Sequence, residues 1–318
     1  MRVAVSGANG FVGQALAQHL ASSGHQVLAY MQRSGVFAKT AGIIAAAAPD
    51  LCLRADWQLS SGQEIDVFVH CAARVHVMSD ESADSLNEFR RVNVDGTASL
   101  ARQAAAAGVR RFIFLSSIKV NGEYTEAEHP FRADDPPAPE SPYGVSKHEA
   151  EQVLRHIAAD TGMEVVIIRP PLVYGPGVKA NFESMMRLLV RGFPMPLAAV
   201  NDNLRSLVAL DNLVDLIVTC MDHTEAINQT LLVSDGEDLS TADLLRRMGT
   251  ALDHPARLFY VPRPLLSLSA KIANSPEIYK RLCSSLQLDI TKTRDLLGWA
   301  PRVSVYEGLR RAANGFRS

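Results

Sequence analysis

The stretch Arg2-Val3-Ala4-Val5-Ser6-Gly7-Ala8-Asn9-Gly10-Phe11-Val12-Gly13, running straight into Gln14–Leu20, decides the fold. A short apolar β-forming run, a glycine-rich turn and a helical segment follow one another without a spacer, which predicts a buried strand that turns directly into a helix. Glycines in such a turn let the backbone bend sharply and approach a pyrophosphate, whose charge is stabilised by the N–H groups and dipole of the helix N-terminus. Gly7, Gly10 and Gly13 are therefore candidate dinucleotide-binding positions, with Asn9, Phe11 and Val12 around them.

Working outward, further short apolar runs at Val27–Tyr30, Val67–His70, Phe112–Leu115 and Val165–Ile168 alternate with Ala-, Leu- and Glu-rich helical stretches. Apolar strands separated by helices imply a doubly wound α/β Rossmann domain, its parallel sheet covered on both faces. Residues 121–142 carry acids and prolines and read as a surface loop, after which Ser141 and Pro142 look like the N-cap and first residue of a helix. Beyond Arg169, Pro and Gly punctuate the chain. Residues 1–169, with about 207–235 returning, are expected to form the nucleotide-binding domain, and 170–206 with 236–318 a smaller interleaved substrate lobe. Leu231–Val233 reads as a further strand, Asp289 to Gly298 as a capped helix, and the alanine-rich residues 40–49 have no clear reading.

Bulk properties exclude several classes. A net charge of −2 gives no electrostatic reason to expect nucleic acid or an anionic membrane as partner. No uninterrupted apolar run reaches the roughly 18 residues of a membrane span, and the opening strand leaves no room for a signal peptide, so a cytoplasmic protein is expected. Cys52, Cys71, Cys220 and Cys283 are widely spaced, and His70 and His76 lack metal-ligand spacing, so no metal is expected.

Two groups carry chemistry. Tyr143-Gly144-Val145-Ser146-Lys147 places a phenol and an ammonium on one helical face, where the cation favours the phenolate and brings a poor acid–base group toward working range. Phe112–Leu115 ends in the hydroxyls of Ser116 and Ser117. At the end of the second strand, Tyr30-Met31-Gln32-Arg33-Ser34 offers no acid for a ribose diol, and Arg33 with Ser34 suits a 2′-phosphate, so NADP is expected ahead of NAD.

The Gly-x-x-Gly-x-x-Gly spacing together with these groups resembles the extended short-chain dehydrogenase/reductases of the NAD-dependent epimerase/dehydratase type. The likeness to UDP-galactose 4-epimerase-like proteins covers nearly the whole chain, including Arg169-Pro170-Pro171-Leu172-Val173-Tyr174-Gly175, Arg205 ahead of Val208-Ala209-Leu210-Asp211-Asn212, and Leu296-Leu297-Gly298-Trp299. The resemblance implies that Ser117, Tyr143 and Lys147 are catalytic, Ser117 being selected by matching Val120-Asn121-Gly122 to the family's Val-Tyr-Gly. It implies that Asp56 and Trp57 flank the adenine, that Cys71, Ala72 and Ala73 run beneath the cofactor, and that Asn93 supports the site. It also implies that Ser116, Pro170 and Val173 lie at the cofactor, Lys147 reaching its ribose. Ile118, Lys119, Asn181, Arg205 and Arg281 are implied substrate contacts, and a homodimer is usual.

Departures narrow the expectation. The family's 4,6-dehydratases carry Asp-Glu after the catalytic hydroxyl, where this chain has Ile118-Lys119. Leu172 replaces an asparagine, and Val75 a lysine, found in many epimerases. Leu115–Glu123 and Ser285–Asp289 look most like a bacterial O-antigen subgroup. The leading expectation is therefore a C4 ketoreductase of a UDP-linked 4-keto-6-deoxy-N-acetylhexosamine, making UDP-N-acetylquinovosamine or UDP-N-acetylfucosamine. The alternative is a UDP-hexose or UDP-N-acetylhexosamine 4-epimerase that keeps NAD bound, and the remote one an idle dinucleotide sensor.

Overall fold

The computed structural model describes residues 1–32, 37, 40–52, 55–59, 64–75, 85–126, 128–272 and 276–317. The first part runs β1 (Arg2–Ser6), α1 (Phe11–Ser22), β2 (Gln26–Met31), β3 (Ile43–Ala47), β4 (Val67–His70) and α2 (Ser85–Phe89). A π-helical segment, Arg90–Gly96, continues into α3 (Thr97–Ala106), followed by β5 (Arg111–Leu115), α4 (Pro142–Thr161) and β6 (Glu164–Arg169). The second part comprises β7 (Leu172–Tyr174), α5 (Ala180–Val190), β8 (Arg205–Ala209), α6 (Leu210–Cys220), β9 (Thr230–Leu232) and β10 (Asp238–Leu239). It ends with α7 (Thr241–Ala251), α8 (Arg263–Ile272), α9 (Pro276–Cys283), α10 (Thr291–Leu297) and α11 (Val305–Arg317).

Among the described residues one wholly parallel sheet has the order β3-β2-β1-β4-β5-β6-β9. The alternation of side chains along a strand explains its two covered faces. Val3 and Val5 pack with Leu16 of α1 and Leu213 and Ile217 of α6, whereas Ala4 and Phe68 pack with Leu100 of α3 and Leu154 of α4. The strand order reverses between β1 and β4, and the crevice at their carboxyl ends is where an open α/β sheet binds its ligand. Ser6 pairs there with His70.

The expected Rossmann architecture with an interleaved smaller lobe is what the chain forms. Ser141 caps α4 through its Oγ, which accepts from Gly144 N, and Pro142 opens the helix. Gly298 closes α10 in the left-handed conformation, φ 59°, and Asp289 Oδ1 accepts from Thr291 N at its start. The alanine-rich stretch forms the edge strand β3. Alanine has little β preference, and half-exposed edge residues need not be apolar, so nothing in the pattern announced it. A small sheet, β10-β8-β7, also lay outside the sequence expectation, because two of its strands, β7 and β10, have only three and two residues and show no periodicity. No described helix is long and apolar enough to cross a membrane.

Asp235 ties the small sheet to α6. Its Oδ1 accepts from Ala209 N at 2.8 Å and Asn212 Nδ2 at 2.7 Å, while Oδ2 accepts from the Tyr174 hydroxyl at 2.8 Å. Burial and the neighbouring acids push the Tyr174 phenol far above its ordinary value, so it stays a donor. Asp235→Ala leaves these buried donors unsatisfied and should cost about 3–5 kcal/mol of unfolding free energy in a urea titration. Tyr174→Phe, which deletes only the hydroxyl, with its bond to Asp235 and its longer 3.5 Å contact to Val305 O, should cost about 1–3 kcal/mol. Equal losses for the two variants would contradict the clamp.

Candidate active site

The turn between β1 and α1 is built around close backbone approach. Gly7 has φ +66°, and a Cβ placed on it would lie 2.8 Å from Ala72 N, while one on Gly13 would lie 2.3 Å from Gly7 O. Larger residues at either position would force the turn away from the chain leaving β4. Gly10 starts α1 in an extended conformation with no side-chain cap, and no acid occupies the helix's first turn. Free N–H groups, the positive end of the dipole and an approach too close for side chains together fit a dinucleotide pyrophosphate. Asn9 and Gly10 are exposed, and Phe11 and Val12 half-buried, around that cradle.

His70 anchors the floor. The ring is 1% exposed, with Nδ1 2.6 Å from Ser6 Oγ and Nε2 3.0 Å from Thr97 Oγ1. Cys71, Ala72 and Ala73 follow it past the glycine turn, and burial pushes the Cys71 thiol up to about 12. Asn93, in the π-helical segment, holds the same strand end from the other side. Its Oδ1 accepts from Arg74 N at 2.8 Å, and its Nδ2 donates to Arg74 O at 3.1 Å and to Ser146 Oγ at 3.0 Å. π-Helical insertions of this kind recur at functional sites because they redirect one side chain from the regular helical face.

α4 brings Tyr143 and Lys147 to this edge. A Cβ on Gly144 would lie 2.7 Å from Lys119 O, so glycine permits the first turn of α4 to rest directly on the segment after Ser117. Lys147 is 2% exposed, donates from Nζ to Leu115 O at 2.8 Å and stands 4.3 Å above the Phe114 ring. Burial lowers its pKa to about 7, against the raising influence of Cys71 and Glu151. Burial likewise pushes Tyr143 up to about 12, although a hydrogen bond with the Ser117 side chain acts in the opposite direction. The expected lowering of the phenol by Lys147 is therefore not the dominant influence. Desolvation of the phenolate outweighs it.

The remaining expected positions divide. Ser117 accepts from Lys119 N at 3.3 Å and caps a 3₁₀ turn, Ile118–Val120, in which Ile118 is buried and Lys119 pairs with Glu123 at 3.0 Å. Ser116 turns inward, its Oγ donating to Glu151 Oε1 at 2.6 Å. Pro170 is buried and accepts through its carbonyl from Ile118 N at 3.0 Å; Val173 is half-buried in β7. Asp56 is at the surface, but Trp57 is 2% exposed, its ring 5.4 Å from Tyr30 and 6.2 Å from Phe68. In the smaller lobe Arg205 Nη1 donates to Arg281 O and Ser284 O, both at 3.0 Å, and burial lowers its pKa. Asn181 is exposed on the first turn of α5, and Arg281 is exposed on α9. Arg33, Ser34 and His76 lie outside the described residues.

Sequence reasoning missed Glu151 and its partner Arg169. The spacing Tyr143, Lys147, Glu151 repeats one helical turn at a time and was the available signal.

The imidazole of His70 yields a pH prediction. Burial, helped by the Lys147 cation, lowers its pKa from 6.5 to about 3. The unfolded chain binds a proton below pH 6.5 that the folded chain refuses, so this contribution is whole above 6.5 and falls by about 1.4 kcal/mol per pH unit below it. Urea unfolding should show about 2 kcal/mol of lost stability between pH 6.5 and 5 from this group. His70→Gln should be less stable at pH 7 but shallower in slope, and an unchanged slope would exclude the histidine as the cause.

Residues 3–233 match the model of the NAD dependent epimerase/dehydratase family. The chain is 46% identical over 314 residues to a UDP-glucose 4-epimerase of Vibrio cholerae, covering 99% of this chain and 95% of that protein. Among solved structures, MoeE5 in complex with UDP-glucuronic acid and NAD superposes with TM-score 0.78 at 26% identity, covering 100% of this chain and 99% of that one. The UDP-glucuronic acid 4-epimerase of Bacillus cereus, in complex with NAD, gives the same score at 20% identity over 100% and 99% of the chains, a likeness of fold. These neighbours hold NAD, which overturns the expectation of NADP. The physical reason is that a missing acid at the end of β2 does not demand a phosphate, since neutral hydrogen-bonding groups also satisfy a ribose diol. With its family model matched from β1 through β9 and a relative nearly half identical along almost its whole length, this chain belongs to the NAD dependent epimerase/dehydratase family.

Proposed function

We propose that this protein is a 4-epimerase of a UDP-linked hexose that keeps NAD bound through turnover. One observation carries the choice within the family: the 46% identity to the Vibrio cholerae UDP-glucose 4-epimerase runs through both the nucleotide-binding layers and the smaller lobe. The ketoreductase reading leaned on an exchangeable NADPH, and without the 2′-phosphate it loses that support.

The glycine turn and α1 would hold the pyrophosphate, with Ala72 and Ala73 beneath. NAD, when bound there, would supply the reversible hydride acceptor that inversion at sugar C4 needs. The protein handles the proton. Burial, which pushes Tyr143 up to about 12, keeps its proton on in the resting protein, so a turnover begins with loss of that proton to solvent, and the proton the phenolate then takes from O4 is the one it returns when the ketone is reduced. In the oxidising half it must accept the O4 proton, and the Lys147 ammonium, one helical turn away, stabilises the phenolate that does so. Lys147 titrates at about 7, so its own charge is held only by near-neutral or lower pH, and its bond to Leu115 O fixes where that charge stands. Ser117, whose side chain acts on the Tyr143 phenol, orients O4. Arg205, pinned by the Arg281 and Ser284 carbonyls, is the proposed diphosphate partner, for which a guanidinium is suited.

Protein purified without added cofactor should release close to one NAD per chain on denaturation and interconvert UDP-glucose and UDP-galactose with nothing added. Tyr143→Phe should keep its NAD and lose at least about a hundredfold in kcat. A protein that purifies empty, and reduces a UDP-4-keto sugar only when NAD(P)H is supplied, would be a ketoreductase instead.

A further inference from the structure

Behind the proposed site lies a buried charged network that the proposed proton and hydride transfers do not use. Glu151 follows Lys147 by one turn of α4 and Tyr143 by two, so the three share a face. Its carboxylate is 1% exposed and receives Arg169, itself 3% exposed, in a bidentate pair: Nε to Oε1 at 2.9 Å and Nη2 to Oε2 at 2.5 Å. Ser116 Oγ donates to Oε1 at 2.6 Å, and the more distant Arg155 Nη2 is 3.9 Å from Oε2. The third nitrogen of Arg169, Nη1, donates to Asn121 Oδ1 at 2.9 Å, and Asn121 Nδ2 to Arg132 O at 2.8 Å.

Stability alone does not account for this arrangement, because a buried ion pair gains little over a well-packed apolar pair of the same volume. Its end points are informative. Ser116 directly precedes Ser117, and Asn121 ends the 3₁₀ turn that Ser117 begins. The backbone between them is held against β6 from both sides, Ser116 N donating to Ile168 O at 2.8 Å and Ile118 N to Pro170 O at 3.0 Å. The network thus grips the residue before Ser117 and the turn after it, from the helix that carries Tyr143.

We infer that Glu151, locked by Arg169, is a positioning residue that holds Ser117 in register with Tyr143, acting through Ser116 on one side and Asn121 on the other. The inference rests on the epimerase reading, in which the Ser117 hydroxyl must meet O4 and the phenol together. A carboxylate suits the task because it accepts from Ser116 and from two guanidinium nitrogens at once, which an amide at that position does not match.

The test measures kcat and KM for UDP-hexose epimerisation, per bound NAD, in wild type, Ser116→Ala, Ser116→Thr, Glu151→Gln and the Ser116→Ala/Glu151→Gln double variant. Ser116→Ala leaves the ion pair intact; it should keep its NAD, hold KM within twofold and lose roughly tenfold in kcat, the scale of a small misplacement. Ser116→Thr retains the hydroxyl and should recover most of that loss. Glu151→Gln should lose more, because it also weakens the Arg169–Asn121 arm, and the double variant no more than Glu151→Gln alone, since Ser116 acts only through its contact with Glu151. Wild-type kcat in Ser116→Ala, a loss appearing in KM instead, or losses that multiply in the double variant would each overturn the inference. If Glu151→Gln does not fold, the two Ser116 variants decide it. Wild type that epimerises no UDP-hexose sinks the assigned reaction instead, and the same ratios are then read on the hydride transfer it does perform.

Discussion

The site depends first on how closely the β1–α1 turn approaches the chain leaving β4. With Gly7 at φ +66° and no room for a Cβ against Ala72, the helix N-terminus is drawn over the crevice at the strand-order reversal. The same strand end is pinned from beyond by Asn93, whose amide spans the Arg74 backbone and the Ser146 hydroxyl, and Ser146 in turn donates to Tyr143 O at 2.9 Å. A chain of contacts therefore runs from the glycine turn, through the end of β4 and Asn93, to the Tyr143 backbone. The turn and the first residues of α4 are thus placed relative to one another.

Burial sets the electrostatics of that substrate edge. Both the phenol and the ammonium are driven toward their neutral forms, to about 12 and about 7. Each alone would then be a poor partner at neutral pH, the tyrosine too weak an acid and the lysine only partly charged. Groups whose environments oppose the charged state are sensitive to any charge that arrives or leaves nearby, which on the proposed epimerase reading suits the acceptance and return of one proton within a turnover. Glu151 adds a fixed negative charge one turn behind Lys147, while Arg169 neutralises it toward the interior.

Much of this was legible in the sequence, and the reason is periodicity. Strand, glycine turn and helix each leave a local signature, so the sheet, Gly7, Gly10 and Gly13, and the Tyr143–Lys147 spacing followed from the chain itself. Elements too short to show a period did not: β7 and β10 have three and two residues, and β3 is a five-residue edge strand, two isoleucines followed by three alanines. Long-range polar partners leave no local signature either. Nothing near Ser116 announces that its hydroxyl serves Glu151, and nothing near Arg169 announces a bidentate pair across the sheet–helix interface. The cofactor expectation failed for a related reason. It read one loop charge as a ligand, although a neutral diol can be bound without it.

The chain after Ser117 is tied to the smaller lobe. Residues 284–288 act as a splint between that chain and the smaller lobe. Thr125 N donates to Ser285 O at 3.0 Å and Phe131 N to Gln287 O at 2.9 Å on one side, and Ser206 N to Leu286 O at 2.8 Å on the other. The Arg205 guanidinium grips the splint at the Ser284 carbonyl. A change of sequence in the splint therefore shifts β8, Arg205 and the loop through Phe131 together. α4, which carries Tyr143 and Lys147, is anchored to β5 and to Asn93, and it is joined to the splinted loop through Asn121, whose Nδ2 donates to Arg132 O and whose Oδ1 accepts from the Arg169 that pairs with Glu151. A shift of the loop is therefore passed to the helix through that amide.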